Sequence, residues 1–415
     1  MRVRPFSVLE RFIVPATLAL FLALQGADYT LPIAWALLTL GGLLAVAFGM
    51  LDLQRPLSGV EKAIGCFLAA CALSMVSGVD PRRSLMLSVP ILASVLIWML
   101  IARGRYALVY PAVAVGLLAA ALTQSALLAL ATLRHPFATP GEWVADAGAA
   151  WLVVPNDIAW MACVLPLLAI AAGRHTGKAL LLLLVAFAEL CLVVHSRTAV
   201  IVAIAVALSF VALSFPRPWL RNLQLTMMIA FGSAAAAVAM AFGAASMRAR
   251  WQLWQAAWSM FLDHPWTGVG LHNFVLAYRQ YLPSSAELVD PRTTPWPHNL
   301  VLEIAAECGL IGLIAGLYLV SCVIRRGMVL GRTTSTPLHH AVFSGFFGLT
   351  LLALTEASLL RQWVWLVAAV LCALLVVDSR VYGNQENEDR FAATSVPARR
   401  RGRSARSQRS RGIDA

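Results

Sequence analysis

The chain has 415 residues, 60% of them apolar and only 13% charged, with a formal net charge of +12. A soluble domain is about 45–50% apolar and roughly 25% charged, so this composition excludes both a water-facing globule and a mostly disordered chain. A bilayer core about 30 Å thick takes roughly 20 helical residues per crossing, and the apolar share is enough for about a dozen crossings. The expected fold class is therefore all-α: a polytopic integral membrane protein of about twelve transmembrane helices.

In chain order, the stretches apolar enough to span are 12–25, 31–51, 63–79, 84–102, 106–133, 151–172, 179–194, 198–215, 223–245, 300–324, 338–360 and 362–377. The first is short and follows a basic start, as in a signal peptide, but no small-x-small cleavage site follows it, so it is read as a span. Four segments result: spans one to nine over 1–245, an outer loop over 246–297, spans ten to twelve over 298–380, and an Arg-, Ser- and Gly-rich tail over 381–415. The tail reads as a disordered arm drawn to anionic lipid. All seven cysteines (Cys66, Cys71, Cys163, Cys191, Cys308, Cys322 and Cys372) lie in apolar stretches and read as small core residues rather than a disulfide framework.

Cytoplasmic loops of membrane proteins are enriched in Lys and Arg. Most of the 32 basic residues fall on one side, and in the tail, if both termini are cytoplasmic. Placed in this way, the basic excess argues for a membrane surface and against nucleic acid. The exceptions face outward: Arg82, Arg83, Arg134, Arg197, Arg248, Arg250, Arg279, Arg292 and Arg361. An arginine near the outer lipid boundary is costly unless it snorkels to headgroups or meets an anion. Arg82, Arg83 and Arg361, each taken alone, read as snorkelling. Arg197 stands in His195-Ser196-Arg197 with almost no loop, and Arg250 follows Arg248 out of the ninth span. Those two read as functional. A set of arginines on one face suits a membrane-bound phosphate or pyrophosphate, because the guanidinium fork offers two parallel hydrogen bonds and stays charged.

The outer loop begins Arg248-Ala-Arg250-Trp-Gln-Leu-Trp254, and Trp251, Trp254, Trp258 and Phe261 recur at helical spacing. This predicts an amphipathic helix whose aromatic stripe either lies at headgroup level or packs against the bundle. Gly268 and Gly270 read as turn residues. The loop closes on Pro295-Trp-Pro-His298-Asn299, which sets His298 where the chain re-enters the membrane. An imidazole of ordinary pKa, near 6.5, can take a proton from a hydroxyl at neutral pH. Asn156 and Asp157 lie in the outer part of the sixth span, where an intramembrane carboxylate is a functional candidate. Glu303 and Glu307 share a helix face turned away from His298 and are expected to meet arginines on other helices. His195, His264, His272 and His298 lack the tight spacing of a metal site.

Several of these motifs resemble those of the bacterial O-antigen ligases (WaaL), in the wider O-antigen ligase and polymerase superfamily. The resemblance rests on His298-Asn299 followed by Gly309 and Gly312, on Arg250-Trp-Gln-Leu-Trp254, and on Asp263-His-Pro-Trp-Thr-Gly-Val-Gly-Leu-His-Asn-Phe274. Ser196-Arg197 and Pro155-Asn156-Asp157 match in type and order; the likeness is close over 246–312 and loose over 75–325. It implies a GT-C-like glycosyltransferase of the bacterial inner membrane with a periplasmic active site. Such an enzyme moves a glycan from undecaprenyl pyrophosphate to a hydroxyl of lipid A–core, with inversion. By that resemblance Arg197 and Arg250 would grip the pyrophosphate and His298 would be the base. Arg82, Arg83, Asn156, Asp157, His195, Arg248, Trp254 and Asn299 would line the substrate site. Fixed arginines can stabilise a doubly charged leaving group where other transferases use a metal, so no metal or other cofactor is expected. A polymerase of the same superfamily shares donor and fold. A transporter would instead place its polar groups near mid-membrane.

Overall fold

In lipid, a spanning segment must satisfy its own backbone hydrogen bonds, and an apolar run with few breakers does so as a helix. The computed structural model describes residues 8–104, 109–172, 196–214, 245–282, 295–333 and 337–377, and apart from an isolated bridge between Leu51 and Gly104 their regular structure is helical. The helices are α1 (Val8–Ala23), α2 (Leu31–Ala47), α3 (Gly59–Ser77), α4 (Pro81–Leu87), α5 (Val89–Ala102), α6 (Val109–Arg134) and α7 (Pro140–Ala147). They continue with α8 (Ala159–Ala172), α9 (Arg197–Ser214), α10 (Ala245–Asp263), α11 (Phe274–Tyr281), α12 (Leu300–Thr333), α13 (Pro337–Thr355) and α14 (Gln362–Val376).

Every expected apolar stretch within the described residues is helical, and the protein is a multi-pass membrane protein. The count of about twelve spans is not reproduced by length. Among the described residues, five helices are long and apolar enough to cross, or six if the bent pair α4–α5 is one span. Four further apolar helices are shorter, and the stretches expected at 179–194 and 223–245, like the tail, lie outside the described residues. The shortfall has a local cause in part. Pro81 and Pro90 each open a helix, and the pair α4–α5 bends by 42°.

α12 packs on α3 and α10, while α13 packs on α8 and α9, and α14 packs on α5. At the start of α3, Glu61 closes a capping box with Ser58 and takes Arg103 Nε at 2.6 Å, with Arg55 at 3.4 Å. This basic cluster lies at the opposite end of α3 from Ser74, whose hydroxyl donates to the Glu307 carbonyl near the start of α12 at 2.6 Å.

The feature that shapes the end of the bundle where Ser74 meets Glu307 is a break in α12. Gly309 has φ 62° and ψ −160°, a backbone conformation closed to side-chain-bearing residues. The groups freed by the break find partners in the segment after α10. Val269 N and Gly270 N donate to the carbonyls of Ala306 and Glu307 at 2.9 and 3.0 Å, while Leu310 N donates to Pro265 O at 2.7 Å. Non-helical backbone at membrane depth is tolerated only when satisfied in this way. The approach is close enough that a Cβ on Gly309 would collide with the Trp266 main chain, and one on Gly268 with Glu307. Gly309→Ala is therefore expected to destabilise the fold by at least about 1–3 kcal/mol, the usual cost of a forbidden backbone state. Thermal melting of the purified protein in detergent checks it, and an unchanged melting temperature would contradict the account.

α10 has its own division of faces. Ala249, Leu253, Ala256, Ala257 and Met260 are buried, whereas Trp251 and Trp258 are more than half exposed. Leu253, Ala257 and Met260 join Val269, Phe274, Tyr278 and Ala306 in one apolar cluster. The aromatic stripe is thus split: small and aliphatic residues face the bundle, two tryptophans face outward, and Trp254 turns toward the chain leading into α12.

Candidate active site

His298 is placed by the residues on either side of it. Trp254 Nε1 donates to the Pro297 carbonyl at 2.7 Å. On the other side Asn299 Oδ1 accepts from Val301 N and Leu302 N at 3.0 and 3.2 Å, capping α12. Between them His298 adopts φ 52°, a left-handed conformation rare for a residue with a side chain. Such a conformation costs about 1–3 kcal/mol and persists where surrounding contacts over-determine it.

The imidazole is 5% exposed, and its Nδ1 lies 3.1 Å from Glu356 Oε1. With Nδ1–H donating to the carboxylate, Nε2 keeps its lone pair; this nitrogen is buried and has no hydrogen-bond partner among the described residues. The other oxygen of Glu356 takes Arg250 Nη2 at 2.7 Å, and Arg250 Nη1 donates to the Thr355 carbonyl at 3.0 Å. The Asn156 side chain also hydrogen-bonds Glu356. The His298 contact and the Arg250 ion pair hold both oxygens of the Glu356 carboxylate in place. The result is a fixed anion behind a histidine whose second nitrogen is left without a partner among the described residues. That arrangement orients an imidazole as a base and stabilises the imidazolium it becomes.

The site extends through Asn156 to α9. Ser196 Oγ donates to Asn156 Oδ1 at 2.8 Å and also accepts from Ala199 N at 3.2 Å, capping that helix. Arg197 follows as the first residue of α9 and is exposed. Arg197, Asn156, Arg250 and His298 therefore come from four separate stretches to one end of the bundle. Asp157 Oδ2 accepts from Val153 N and Val154 N at 3.0 and 2.9 Å, and its Oδ1 accepts from Trp363 Nε1 at 2.9 Å. Arg82 and Arg248 are exposed, and His195 lies outside the described residues.

Glu303 and Glu307 lie within electrostatic reach of Arg361 and Arg83 respectively, in line with the expectation that they meet arginines, but their hydrogen bonds go elsewhere. Glu303 Oε1 accepts from Ser358 Oγ at 2.7 Å and Leu359 N at 3.1 Å, which anchors the α13–α14 loop carrying Glu356. Glu307 accepts from His272 N and Phe274 N at 2.8 and 3.0 Å. These donors come from the α13–α14 loop and from the residues leading into α11, not from α12 itself. Arg361, read as snorkelling, is instead buried: its Nε lies 3.7 Å from Asp157 Oδ1, and its guanidinium stacks 4.3 Å from the Trp296 ring centre.

A second polar cluster flanks the first. Arg83 Nε donates to the His272 carbonyl at 3.2 Å, and burial, assisted by the Arg83 charge, pushes the His272 imidazole down to about 4, so it is neutral at physiological pH. Among the described residues no three His, Cys, Asp or Glu side chains are grouped to hold a metal ion.

Glu356 was missed by the sequence reading. The signal was present: a carboxylate inside the stretch 338–360 is an ionisable residue at membrane depth, a functional candidate by default. What the sequence could not say is that it faces His298.

Residues 157–317 match the model of a family described as O-antigen ligase. The match supports the superfamily indicated by the motifs, whose members act in O-antigen pathways, and does not separate ligase from polymerase. The matched stretch includes Arg197, Arg250 and His298 and ends before Glu356 and Arg361. No curated protein matches the chain.

Proposed function

We propose that the protein is an O-antigen ligase: a glycosyltransferase that moves a glycan from undecaprenyl pyrophosphate to a sugar hydroxyl of lipid A–core at the periplasmic face of the inner membrane. The single observation that carries this is the His298–Glu356–Arg250 chain, which leaves Nε2 of a buried imidazole unpartnered. In the reaction, His298 Nε2 takes the proton of the acceptor hydroxyl as its oxygen attacks the anomeric carbon. The bond from that carbon to the diphosphate oxygen breaks, and its electron pair leaves with the polyprenyl diphosphate. One displacement inverts the anomeric configuration. Glu356 stabilises the imidazolium, and Arg250 holds Glu356 with one edge of its guanidinium while its remaining N–H groups face the donor phosphates with Arg197. The exposed Trp251 and Trp258 would sit at headgroup level, keeping this end of the bundle at the lipid boundary. Both termini are then cytoplasmic, with about twelve spans. Asn156, Asp157, His195, Trp254 and Asn299 shape the pocket, and Arg82, Arg83 and Arg248 ring it.

Purified protein supplied with both lipids tests the assignment. Glycan transfer to lipid A–core without ATP supports the ligase, and chain growth on undecaprenyl pyrophosphate would make it a polymerase. Donor crossing a vesicle with no covalent product would make it a transporter. Arg197→Lys and Arg250→Lys keep the charge but lose the fork, so each is expected to lower transfer at least about tenfold while the protein remains in the membrane. Full activity in Arg250→Lys would show that the fork at that position is dispensable.

A further inference from the structure

Arg361 is a buried cation, 7% exposed; Asp157 approaches its Nε only at 3.7 Å, and its Nη2 is buried with no hydrogen-bond partner among the described residues. Asp157 Oδ1 accepts from Trp363 Nε1 and its Oδ2 from the amides of Val153 and Val154, which hold the carboxylate in place. A buried guanidinium edge without an acceptor is unstable unless something supplies one.

The neighbourhood indicates what would. The Arg361 guanidinium carbon lies 4.3 Å from the Trp296 ring centre, a cation–π contact that holds the side chain against the indole. The same indole lies 4.7 Å from the His298 ring, so Arg361 and the unpartnered Nε2 share one aromatic wall. The indole Nε1–H of Trp296 is likewise buried and has no partner among the described residues. Two donor groups that meet no acceptor among the described residues therefore stand beside the candidate base. α14 starts at the next residue, with no side chain capping its first amides. Donors without acceptors, gathered with a positive helix end, match a phosphate oxygen better than a sugar hydroxyl, which brings a donor of its own.

We infer that Arg361, stacked on Trp296, is a phosphate-binding residue: its Nη edge and the Trp296 indole N–H receive oxygens of the diphosphate of a polyprenyl diphosphate lipid beside His298. The inference rests on the lipid-diphosphate donor of the proposed function and adds to it a binding residue that lies beyond the family-matched stretch. Asp157 acts as the counter-charge that keeps the guanidinium in place without occupying its fork.

The test uses full-length protein in phosphatidylcholine nanodiscs, with farnesyl pyrophosphate, farnesol and inorganic pyrophosphate as probes, read by binding and by melting temperature. Wild type is expected to bind farnesyl pyrophosphate at least about tenfold more tightly than farnesol. Arg361→Gln is expected to lose most of that preference, with farnesol binding unchanged. Should Arg361→Gln fail to fold, Arg361→Lys keeps the charge beside Asp157 and is expected to bind the diphosphate at least about threefold more weakly. A diphosphate preference equal to wild type in whichever variant folds overturns the inference. So does tight binding of inorganic pyrophosphate that Arg361→Gln leaves intact. Phosphatidylglycerol nanodiscs separate the sources of phosphate. If phosphatidylglycerol alone raises the melting temperature in an Arg361-dependent way and abolishes the farnesyl pyrophosphate effect, the seat belongs to bulk headgroups and the diphosphate assignment falls. Because binding is scored without glycan, the two proposals fail separately. Arg361-dependent binding with no transfer would remove the transferase, whereas unchanged transfer and binding in Arg361→Gln would remove only Arg361.

Discussion

His298→Ala is expected to lower glycan transfer by about 10²–10⁴-fold, the usual contribution of a positioned general base. The protein should still insert and bind the donor, because the phosphate contacts proposed for Arg197, Arg250 and Arg361 do not pass through the imidazole. The loss should therefore appear in kcat more than in KM. Removing the ring also leaves Glu356 paired with Arg250 at 2.7 Å, so the buried carboxylate is not stranded. Transfer by purified wild type and variant, at saturating donor, measures the effect. A variant within about threefold of wild type would mean that the acceptor hydroxyl loses its proton elsewhere.

Glu356 carries the second large effect, and here rate and stability should both move. Glu356→Ala takes the acceptor from Arg250 and from His298 Nδ1 in a buried setting. Breaking one side of a buried ion pair typically costs about 3–5 kcal/mol. Glu356→Gln keeps the shape and one acceptor but removes the charge that stabilises the imidazolium. Transfer is expected to fall by about 10²–10⁴-fold, with a smaller loss of melting temperature than in the alanine variant. Glycan transfer and thermal melting of the two variants measure these effects, and wild-type transfer in Glu356→Gln would show that the charge behind His298 is dispensable.

These effects separate what local pattern could reveal from what it could not. Gly268 was legible as a turn residue because its role is local: a left-handed turn needs a residue without Cβ. The partners of the buried carboxylates were not. The amides that meet Glu307 and the hydroxyl that meets Glu303 come from segments some 30 to 55 residues distant, and no periodicity encodes that pairing. Arg361 reads identically, in sequence, as a snorkelling surface residue and as a buried cation.

The amino-acid sequence by itself determined that this is a helical membrane protein, because the cost of unpaired backbone in lipid leaves an apolar chain few alternatives. It also marked the helix that carries the tryptophans and the histidine at the start of α12. Only the tertiary structure decided which carboxylate stands behind that histidine and that α12 breaks at Gly309 with the α10–α11 segment laid into the gap. It also decided that Arg361 is enclosed against Trp296. The physical reason is range. Hydrophobicity and capping act over a few neighbouring residues, whereas a buried charge is defined by whichever distant groups the packed helices bring to it.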